Sequence, residues 1–196
     1  MSRLLRVFVP EGQAPEDGTF TIEGEEARHL SKVLRVEEGR EVEAINGMGK
    51  VWRTRVNEVV GRSVVLVIEE VREIPLPVVS FEVAMAIPKA GRMEETVRQF
   101  TELGVSRITP ILAERGEMGK LPDRIESKLE KWNRIAVQAS KQSGNPWLPN
   151  IGEPIPFKLW CEGVSKYSCR LLGSLSADAC SISSVRKPSM KSVCIG

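Results

Sequence analysis

Charged side chains follow two apolar stretches in the middle of the chain, where strands should meet loops. They are Lys89 and Arg92, after the stretch 81–87, and Glu114 and Arg115, after the stretch 105–112. In an α/β sheet, ligands are handled at the carboxyl ends of the strands. Basic side chains at such an edge suit a phosphate or the polar edge of a base. An ordinary loop and a surface Glu–Arg pair are the alternatives that these residues leave open.

Two further polar residues stand near the ends of predicted helices. Glu102 lies in the last turn of the helix predicted over 93–103, where the helix dipole makes an acid mildly unfavourable. A local cost without structural return is typical of functional residues. Gln142 ends the long helix predicted over 124–142, and its amide can both donate to and accept from a base edge. From these residues alone, a Gly C-cap with polar neighbours explains this helix end better.

A basic stripe is predicted on the one helix of the N-terminal part, over 25–35. Three cations at i, i+4 and i+7 share the face opposite its apolar residues: Arg28, Lys32 and Arg35. Such a stripe can follow a phosphate backbone. Strand arginines could extend it, namely Arg6, Arg53 and Arg55. A solvated helix face is the alternative, since Glu25 and Glu26 lie nearby.

The pattern of elements changes at a segment with two prolines, 72–77. Before it, short strands are predicted at 7–9, 20–22, 42–45, 51–59 and 64–68, with the helix 25–35 burying Ala27, Leu30, Val33 and Leu34. After it, strands at 81–87, 105–112, 169–172 and 192–195 alternate with helices at 93–103 and 124–142. Strand–helix–strand repetition indicates a parallel sheet with right-handed crossovers. We therefore expect a small β-barrel domain over 1–72 and an α/β domain over 73–196.

Composition limits the class of protein. The chain has 196 residues, 41% hydrophobic and 28% charged, with a net charge of +2. It shows no apolar run near the ~20 residues of a membrane span and no signal peptide, so we expect a cytoplasmic protein. The four cysteines form no C-x-x-C pair, and there is one histidine. Free, buried thiols are therefore expected, and a metal site is not.

Motifs for other chemistries are missing from the sequence. It contains no G-x-G-x-x-G dinucleotide loop and no P-loop. It also lacks a G-x-S-x-G nucleophile elbow. These absences disfavour redox, kinase and hydrolase functions.

Five ordered motifs resemble the RsmE family, the 16S ribosomal RNA uridine-N3 methyltransferases. The pattern H-L-x-x-V-L-R is matched by His29 to Arg35, and P-K-G-x-R-M-E by Pro88 to Glu94, with Ala90 and Gly91 slightly shifted. T-E-L-G-V is matched by Thr101 to Val105, and P-(x)3-E-R by Pro110, Glu114 and Arg115. R-W-x-x-I-(x)n-Q-S is matched by Trp132, Ile135, Gln142 and Ser143, with Lys131 in place of the usual arginine.

The resemblance implies a fold, an activity and partners. The fold is a PUA-like β-barrel followed by a SPOUT-type α/β domain with a deep trefoil knot. The activity is methyl transfer from S-adenosylmethionine to N3 of a uridine in 16S rRNA of the small ribosomal subunit. The family further implies a homodimer. The alternatives from other classes are an RNA-binding module without catalysis and a two-domain scaffold without a nucleic-acid role.

The resemblance also assigns roles to residues. Arg115, Lys89 and Gln142 are expected to hold the target base or its developing negative charge, and Glu102 is a candidate proton acceptor. RNA binding is assigned to Arg6, His29, Arg35 and Arg92. The donor is assigned to the end of strand 169–172 and the glycines after two strands, with Leu172, Gly173 and Gly196 as its contacts.

The chain departs from the family pattern at two places. Asn145 stands where an arginine usually follows Q-S-G, so one RNA contact is expected to be missing. The last strand, 191–195, leads in the family into a G-P-E-G-G loop, and this sequence stops at Gly196. We therefore expect a sequence that is incomplete at its C-terminus.

Overall fold

The computed structural model describes residues 4–10, 15, 17–88, 91–113, 125–185 and 190–196. The chain forms two compact units. The first contains Met1–Leu76 and Ser140–Trp147, and the second contains Pro77–Ala139 and Leu148–Gly196. The division at Leu76 falls inside the two-proline segment. The sequence-based limits of 1–72 and 73–196 do not foresee that the first unit also takes residues from the middle of the chain.

The first unit is built on a five-stranded sheet. Its strands are β1 (Leu5–Phe8), β2 (Thr19–Ile22), β3 (Glu41–Ile45), β4 (Lys50–Val60) and β5 (Ser63–Glu73). Their order is β1-β3-β4-β5-β2, with β1 parallel to β3 and the other neighbours antiparallel. Inward side chains such as Phe20, Trp52 and Leu66 form the core, with the Phe20 ring edge-on to Trp52. Alternation of apolar and polar residues thus produced the predicted strands.

The α-helix of the first unit is shorter than predicted and continues as a π-helical turn. α1 spans Gly24–Arg28, and the next residues, His29–Val33, form a π-helical turn. Because a π turn holds more residues than an α turn, the residues after it rotate away from their α-helical positions. Val33 and Leu34 are therefore 65% and 38% exposed instead of joining the buried face begun by Ala27. The predicted continuous α-helix is wrong in its second half.

The second unit contains a parallel sheet. Its strands are β6 (Ser80–Ala86), β7 (Arg107–Leu112), β8 (Asn150–Ile151), β9 (Ile155–Pro156), β10 (Cys169–Leu171) and β11 (Ser192–Ile195). The order is β10-β11-β6-β7-β8, and β9 also pairs with β7. Every one of these pairings is parallel, as the strand–helix–strand repetition predicts. The short strands β8 and β9 were not predicted.

Helices cover the sheet of the second unit. They are α2 (Arg92–Glu102), α3 (Ile125–Ser143) and α4 (Phe157–Gly163), with 3-10 turns at Val164–Lys166 and Ile182–Val185. Val83 and Met85 of β6 pack in one cluster with residues of α2 and α3. That cluster includes Met93, Val97, Val105, Ile108, Trp132 and Ala136. The alternating positions of β6 carry Glu82 and Ala84, so a buried acid lies on the other face of the strand.

The cysteines are free, but three of them are not buried. Cys194 is buried in β11, Cys169 is partly buried, and Cys161 and Cys180 are exposed. The prediction of buried thiols is therefore correct for Cys194 alone. Among the helices of the described residues, none is both long and apolar enough to cross a membrane.

Residues 140–147 are attached to the sheet of the first unit by polar contacts. Lys141 Nζ donates to Glu26 Oε1 at 2.5 Å, and Arg6 Nη1 donates to the Lys141 carbonyl oxygen at 3.1 Å. Farther along, Gly49 N donates to the Pro146 carbonyl oxygen at 3.0 Å, and Met48 forms a β-bridge with Trp147.

Gly49 lies so close to Trp147 that no side chain fits at its position. Its φ is +86°, and a Cβ there would lie 2.2 Å from Trp147 Cζ2 and 2.7 Å from the Ile74 carbonyl oxygen. The backbone conformation and the close approach both require glycine. The turn 46–49 is thus fixed by a residue nearly one hundred positions away in the chain.

We expect Gly49→Ala to lower the free energy of unfolding by roughly 2 to 5 kcal/mol, because strain and overpacking add. Chemical denaturation followed by tryptophan fluorescence measures it. Gly39→Ala is the matched control, since Gly39 has φ +80° with open space around its Cβ position. Equal losses in the two variants would show that Trp147 exerts no steric constraint.

Candidate active site

The carboxyl ends of the parallel strands form one edge of the second unit. β6 ends at Ala86, β7 at Leu112, β10 at Leu171 and β11 at Ile195. Because these strands are parallel, the residues that follow them lie along the same edge of the sheet. This edge is therefore the place to look for ligand-binding residues.

Backbone hydrogen bonds bring together the three residues predicted to contact the donor. Gly196 N donates to the Leu171 carbonyl oxygen at 2.9 Å, and Gly173 N donates to the Gly196 carbonyl oxygen at 2.8 Å. The ladder of β10 and β11 thus extends past both strands. Leu172 between them is 66% exposed, so it presents an apolar side chain beside two glycine backbones.

Trp160 of α4 packs against the same edge. A Cβ at Gly196 would lie 2.4 Å from Trp160 Cη2, so the indole ring leaves no room for a side chain there. The ring of Phe157 stands 5.6 Å from that of Trp160, centroid to centroid. An aromatic pair therefore borders the edge, and the sequence analysis did not identify it.

Cys194, in the strand that leads to this edge, is not a nucleophile. Burial first, and the negative charge of Glu82 second, raise the pKa of the Cys194 thiol to about 11. The thiol is therefore protonated at neutral pH, and a thiol in that state neither attacks an electrophile nor binds a metal well.

The loop after β6 leads into α2 at the same edge. Gly91, with φ +73°, caps α2, and Arg92 is its exposed first residue. Glu94 is fixed by a 2.7 Å ion pair with Lys131 of α3. That hydrogen bond lowers the pKa of the Glu94 carboxyl below its usual value. The lysine that replaces the family's arginine thus ties the start of α2 to α3.

Glu102, the candidate proton acceptor, lies at the end of α2. α2 runs back from the carboxyl edge, and at 1.5 Å per residue its last residue lies about 15 Å from Arg92. Glu102 is exposed at that far end, just before the turn that leads to the amino end of β7. No described contact brings Glu102 to the edge formed by Leu172, Gly173 and Gly196, and its role as a proton acceptor stays a prediction.

The remaining predicted catalytic residues are not brought to this edge by any described contact. Lys89 and Arg115 lie outside the described residues. Gln142 is exposed, in the part of α3 that belongs to the first unit. Their catalytic roles stay predictions from the family pattern.

The predicted RNA-binding residues of the first unit differ in how free they are. Arg6 is occupied, since its Nε lies 2.6 Å from Glu43 Oε1 and its Nη1 bonds the Lys141 carbonyl oxygen. His29 and Arg35 are exposed. Arg35 has φ +48°, a left-handed backbone conformation that costs energy for residues other than glycine. We therefore assign Arg6 a structural role.

A buried carboxylate, Glu82, was missed in the apolar strand that contains it. Its Oε1 accepts from Thr109 Oγ1 at 2.7 Å, and its Oε2 accepts from the Tyr167 hydroxyl and lies 3.7 Å from Arg107 Nε. The side chain of Glu82 is only 7% exposed. A single acid inside an apolar run was the signal that could have found it. These bonds attach the segment after α4 to the sheet.

Glu82→Ala should lower the free energy of unfolding by about 2 to 4 kcal/mol, because it leaves Arg107, the buried Thr109 hydroxyl and the part-buried Tyr167 hydroxyl without their acceptor. Thermal and urea unfolding measure the loss. The control is Glu73→Ala, whose side chain is 81% exposed and 4.0 Å from Lys50. That control should change stability by less than about 0.5 kcal/mol, and a loss as small for Glu82→Ala would refute an anchoring role.

Two family profiles match this chain. The profile described as RNA methyltransferase domain matches residues 75–195, and the one described as RNA methyltransferase PUA domain matches residues 22–69. The first alone covers more than half of the chain.

Curated relatives carry one name. Ribosomal RNA small subunit methyltransferase E of Synechocystis sp. is 35% identical over 157 residues, which are 78% of this chain and 50% of that protein. The protein of the same name from Bacillus subtilis is 29% identical, over 94% of this chain and 75% of its own length. The chain thus spans half of one relative and three quarters of the other.

Solved structures share the fold. A methyltransferase from Legionella pneumophila, solved with the bound cofactor SAM, has a TM-score of 0.83 at 25% identity, covering 99% of this chain and 79% of its own. Ribosomal RNA small subunit methyltransferase E from Neisseria gonorrhoeae, bound to S-adenosyl methionine, has a TM-score of 0.84 at 24% identity, covering 98% and 79%.

These likenesses confirm the predicted fold class, a PUA-like unit followed by a SPOUT-type α/β unit. The trefoil knot stays a prediction. The chain therefore belongs to the RNA methyltransferase family, among the relatives of ribosomal RNA small subunit methyltransferase E.

Proposed function

We propose that the protein containing this chain methylates N3 of a uridine in 16S rRNA, with S-adenosylmethionine as the donor. One observation carries the proposal: the carboxyl edge of an RNA methyltransferase domain exposes Leu172 beside the backbones of Gly173 and Gly196. The curated relatives, named for methylation of small-subunit ribosomal RNA, supply the substrate class.

The residues present at this edge fit one side of the donor. An adenosine needs an apolar surface for its base and open backbone for its polar atoms. Leu172 offers the apolar surface, and Gly173 has no side chain to obstruct the ligand. The close approach of Trp160 to Gly196 gives this edge a rigid aromatic border. We therefore assign Leu172, Gly173 and Gly196 to the donor.

The remaining chemistry is alignment and stabilisation of charge. S-adenosylmethionine supplies an electrophilic methyl group on a sulfonium. The uridine N3 proton has a pKa above neutrality, so its loss leaves negative charge on the base, which cations and amide donors stabilise. We assign this role to Arg115, Lys89 and Gln142. A base presented outside its stack, in line with the donor, meets the requirement for geometry.

RNA docking, assembly and compartment complete the proposal. The exposed side chains of His29, Arg35 and Arg92 are assigned to RNA, which such proteins recognise by shape and phosphate contacts. The partner is the small ribosomal subunit, and we expect a homodimer. With a ribosomal substrate, we expect the protein to act in the cytoplasm.

Transfer of labelled methyl groups tests the function. Small subunits lacking the modification are incubated with labelled S-adenosylmethionine and the protein, and the methylated nucleoside is identified by mass spectrometry. Appearance of N3-methyluridine supports the proposal. Binding of RNA without donor binding or transfer would instead show an RNA-binding module, and binding of neither would leave a scaffold.

Arg115→Ala should lower the rate of methyl transfer by about 100-fold, because it removes one stabilising donor at the reacting base. Donor affinity, measured by calorimetry, should stay nearly unchanged. Arg134→Ala, at an exposed position of α3, is the matched control and should retain full activity. A rate for Arg115→Ala equal to that of the control would remove Arg115 from the mechanism.

Arg35→Gly should separate stability from binding. Removing a side chain from a left-handed position should raise the free energy of unfolding by up to about 1 kcal/mol, while RNA affinity should fall. Arg35→Ala keeps the strain and removes the same charge, so it should lose affinity without the gain in stability. Urea unfolding and fluorescence anisotropy make the two measurements. Affinity unaltered in both variants would exclude Arg35 from the RNA contact.

A further inference from the structure

A basic groove lies on the first unit, between the helix and the turn that joins β4 to β5. Its described lining residues are Gly24, Glu25, Arg28, Ser31, Lys32, Gly61 and Arg62. Its volume is about 560 Å³. Three of the seven side-chain positions are cationic, and one, Glu25, is acidic.

The cations of this groove differ from the arginines of the sheet strands, which the described residues show paired with carboxylates. Arg55 lies 2.7 Å from Glu69, Arg53 lies 3.5 Å from Glu69, and Arg72 lies 3.0 Å from Glu43. Within the described part of the chain, Arg28, Lys32 and Arg62 form no ion pair. The positive charge of the sheet is thus neutralised internally, while that of the groove is not.

The backbone explains which cations meet. The predicted stripe placed Arg35 third, after Arg28 and Lys32. The π turn interrupts that spacing, and Arg35 lines a different concavity, with Leu34 and Val36. The third cation of the groove is Arg62, which follows Gly61 (φ +57°) in the β4–β5 turn. Such π turns are often found at functional sites.

The composition of the groove identifies its ligand. Unpaired cations in a concave surface attract anions, and three of them spread over about 560 Å³ suit successive phosphates of a strand rather than a single anion. The described lining contains no aromatic residue on which a base could stack. The groove is therefore suited to position a backbone and not to read bases.

We propose that the groove of Arg28, Lys32 and Arg62 binds consecutive phosphates of the RNA substrate. The inference rests on the proposed function, which supplies the RNA, and adds a contact surface separate from Arg35. In this arrangement, Arg28 and Lys32 contact the RNA from the helix side of the groove, and Arg62 contacts it from the β4–β5 turn. The groove sets the position of the RNA and takes no part in methyl transfer.

The test compares two triple variants with equal loss of charge in the full chain. Arg28→Gln/Lys32→Gln/Arg62→Gln removes the groove cations, and Arg53→Gln/Arg55→Gln/Arg72→Gln removes three paired ones. The affinity for a fluorescently labelled single-stranded RNA is measured by anisotropy over a series of KCl concentrations. The groove variant should bind at least about tenfold more weakly at low salt, and its salt slope should fall by about 2. The control should change little.

Each other outcome decides against the groove. Equal losses of RNA affinity in both triple variants would show that binding depends on net charge alone. Wild-type affinity in the groove variant would show that the groove does not contact the RNA. In the latter case the methylation assay on the wild-type protein tells whether the proposed function still stands. No RNA binding by the wild type would overturn both proposals. Circular dichroism checks folding, and if the triple variant fails to fold, Arg62→Gln alone should reduce the slope by about 0.7.

Discussion

The need to pair buried carboxylates organises both units. Burying an ionised acid is costly unless charged or hydrogen-bonding partners surround it. In the first unit, Glu43 is 9% exposed and holds Arg6 and Arg72, while Glu26 holds Lys141. In the second, Glu82 accepts hydrogen bonds from the hydroxyls of Thr109 and Tyr167 and lies near Arg107. The bond from Tyr167 attaches the segment after α4 to the sheet. Through Lys141 and Tyr167, Glu26 and Glu82 connect each sheet to a segment that is distant in the sequence.

The same pairing decides which cations remain for RNA. A count of lysines and arginines suggests a weakly basic chain with no preferred surface. The glutamates of β3 and β5 neutralise the strand arginines that alternate with them, so those positions contribute little field at a distance. On the helix and in the β4–β5 turn, Arg28, Lys32 and Arg62 form no ion pair among the described residues, although Glu25 and Glu26 stand in the first turn of the helix. The surface that we propose for RNA therefore consists of the cations that no described carboxylate pairs with.

Local pattern was sufficient for the longer strands and for α2 and α3, because alternation and turn residues act over a few positions, but it missed β8, β9 and α4. It failed where structure depends on distant partners. The π turn leaves Val33 and Leu34 exposed, and Arg6 forms an ion pair with Glu43. The family resemblance assigned Leu172, Gly173 and Gly196 to one ligand, whereas spacing alone does not tell which strands become neighbours.

Residues 140–147 complete the first unit, and this has a consequence for how the chain matures. During translation the N-terminal sheet emerges first, but the partners of Glu26, Arg6 and Gly49 are still unmade. At typical elongation rates about 4 to 14 s separate residue 76 from residue 147. The nascent N-terminal sheet can already pair Glu43 with Arg6 and Arg72, but Glu26 has no Lys141 to pair with until α3 has been synthesised. Vectorial synthesis thus makes the last step of building this unit depend on sequence that follows two strands of the other.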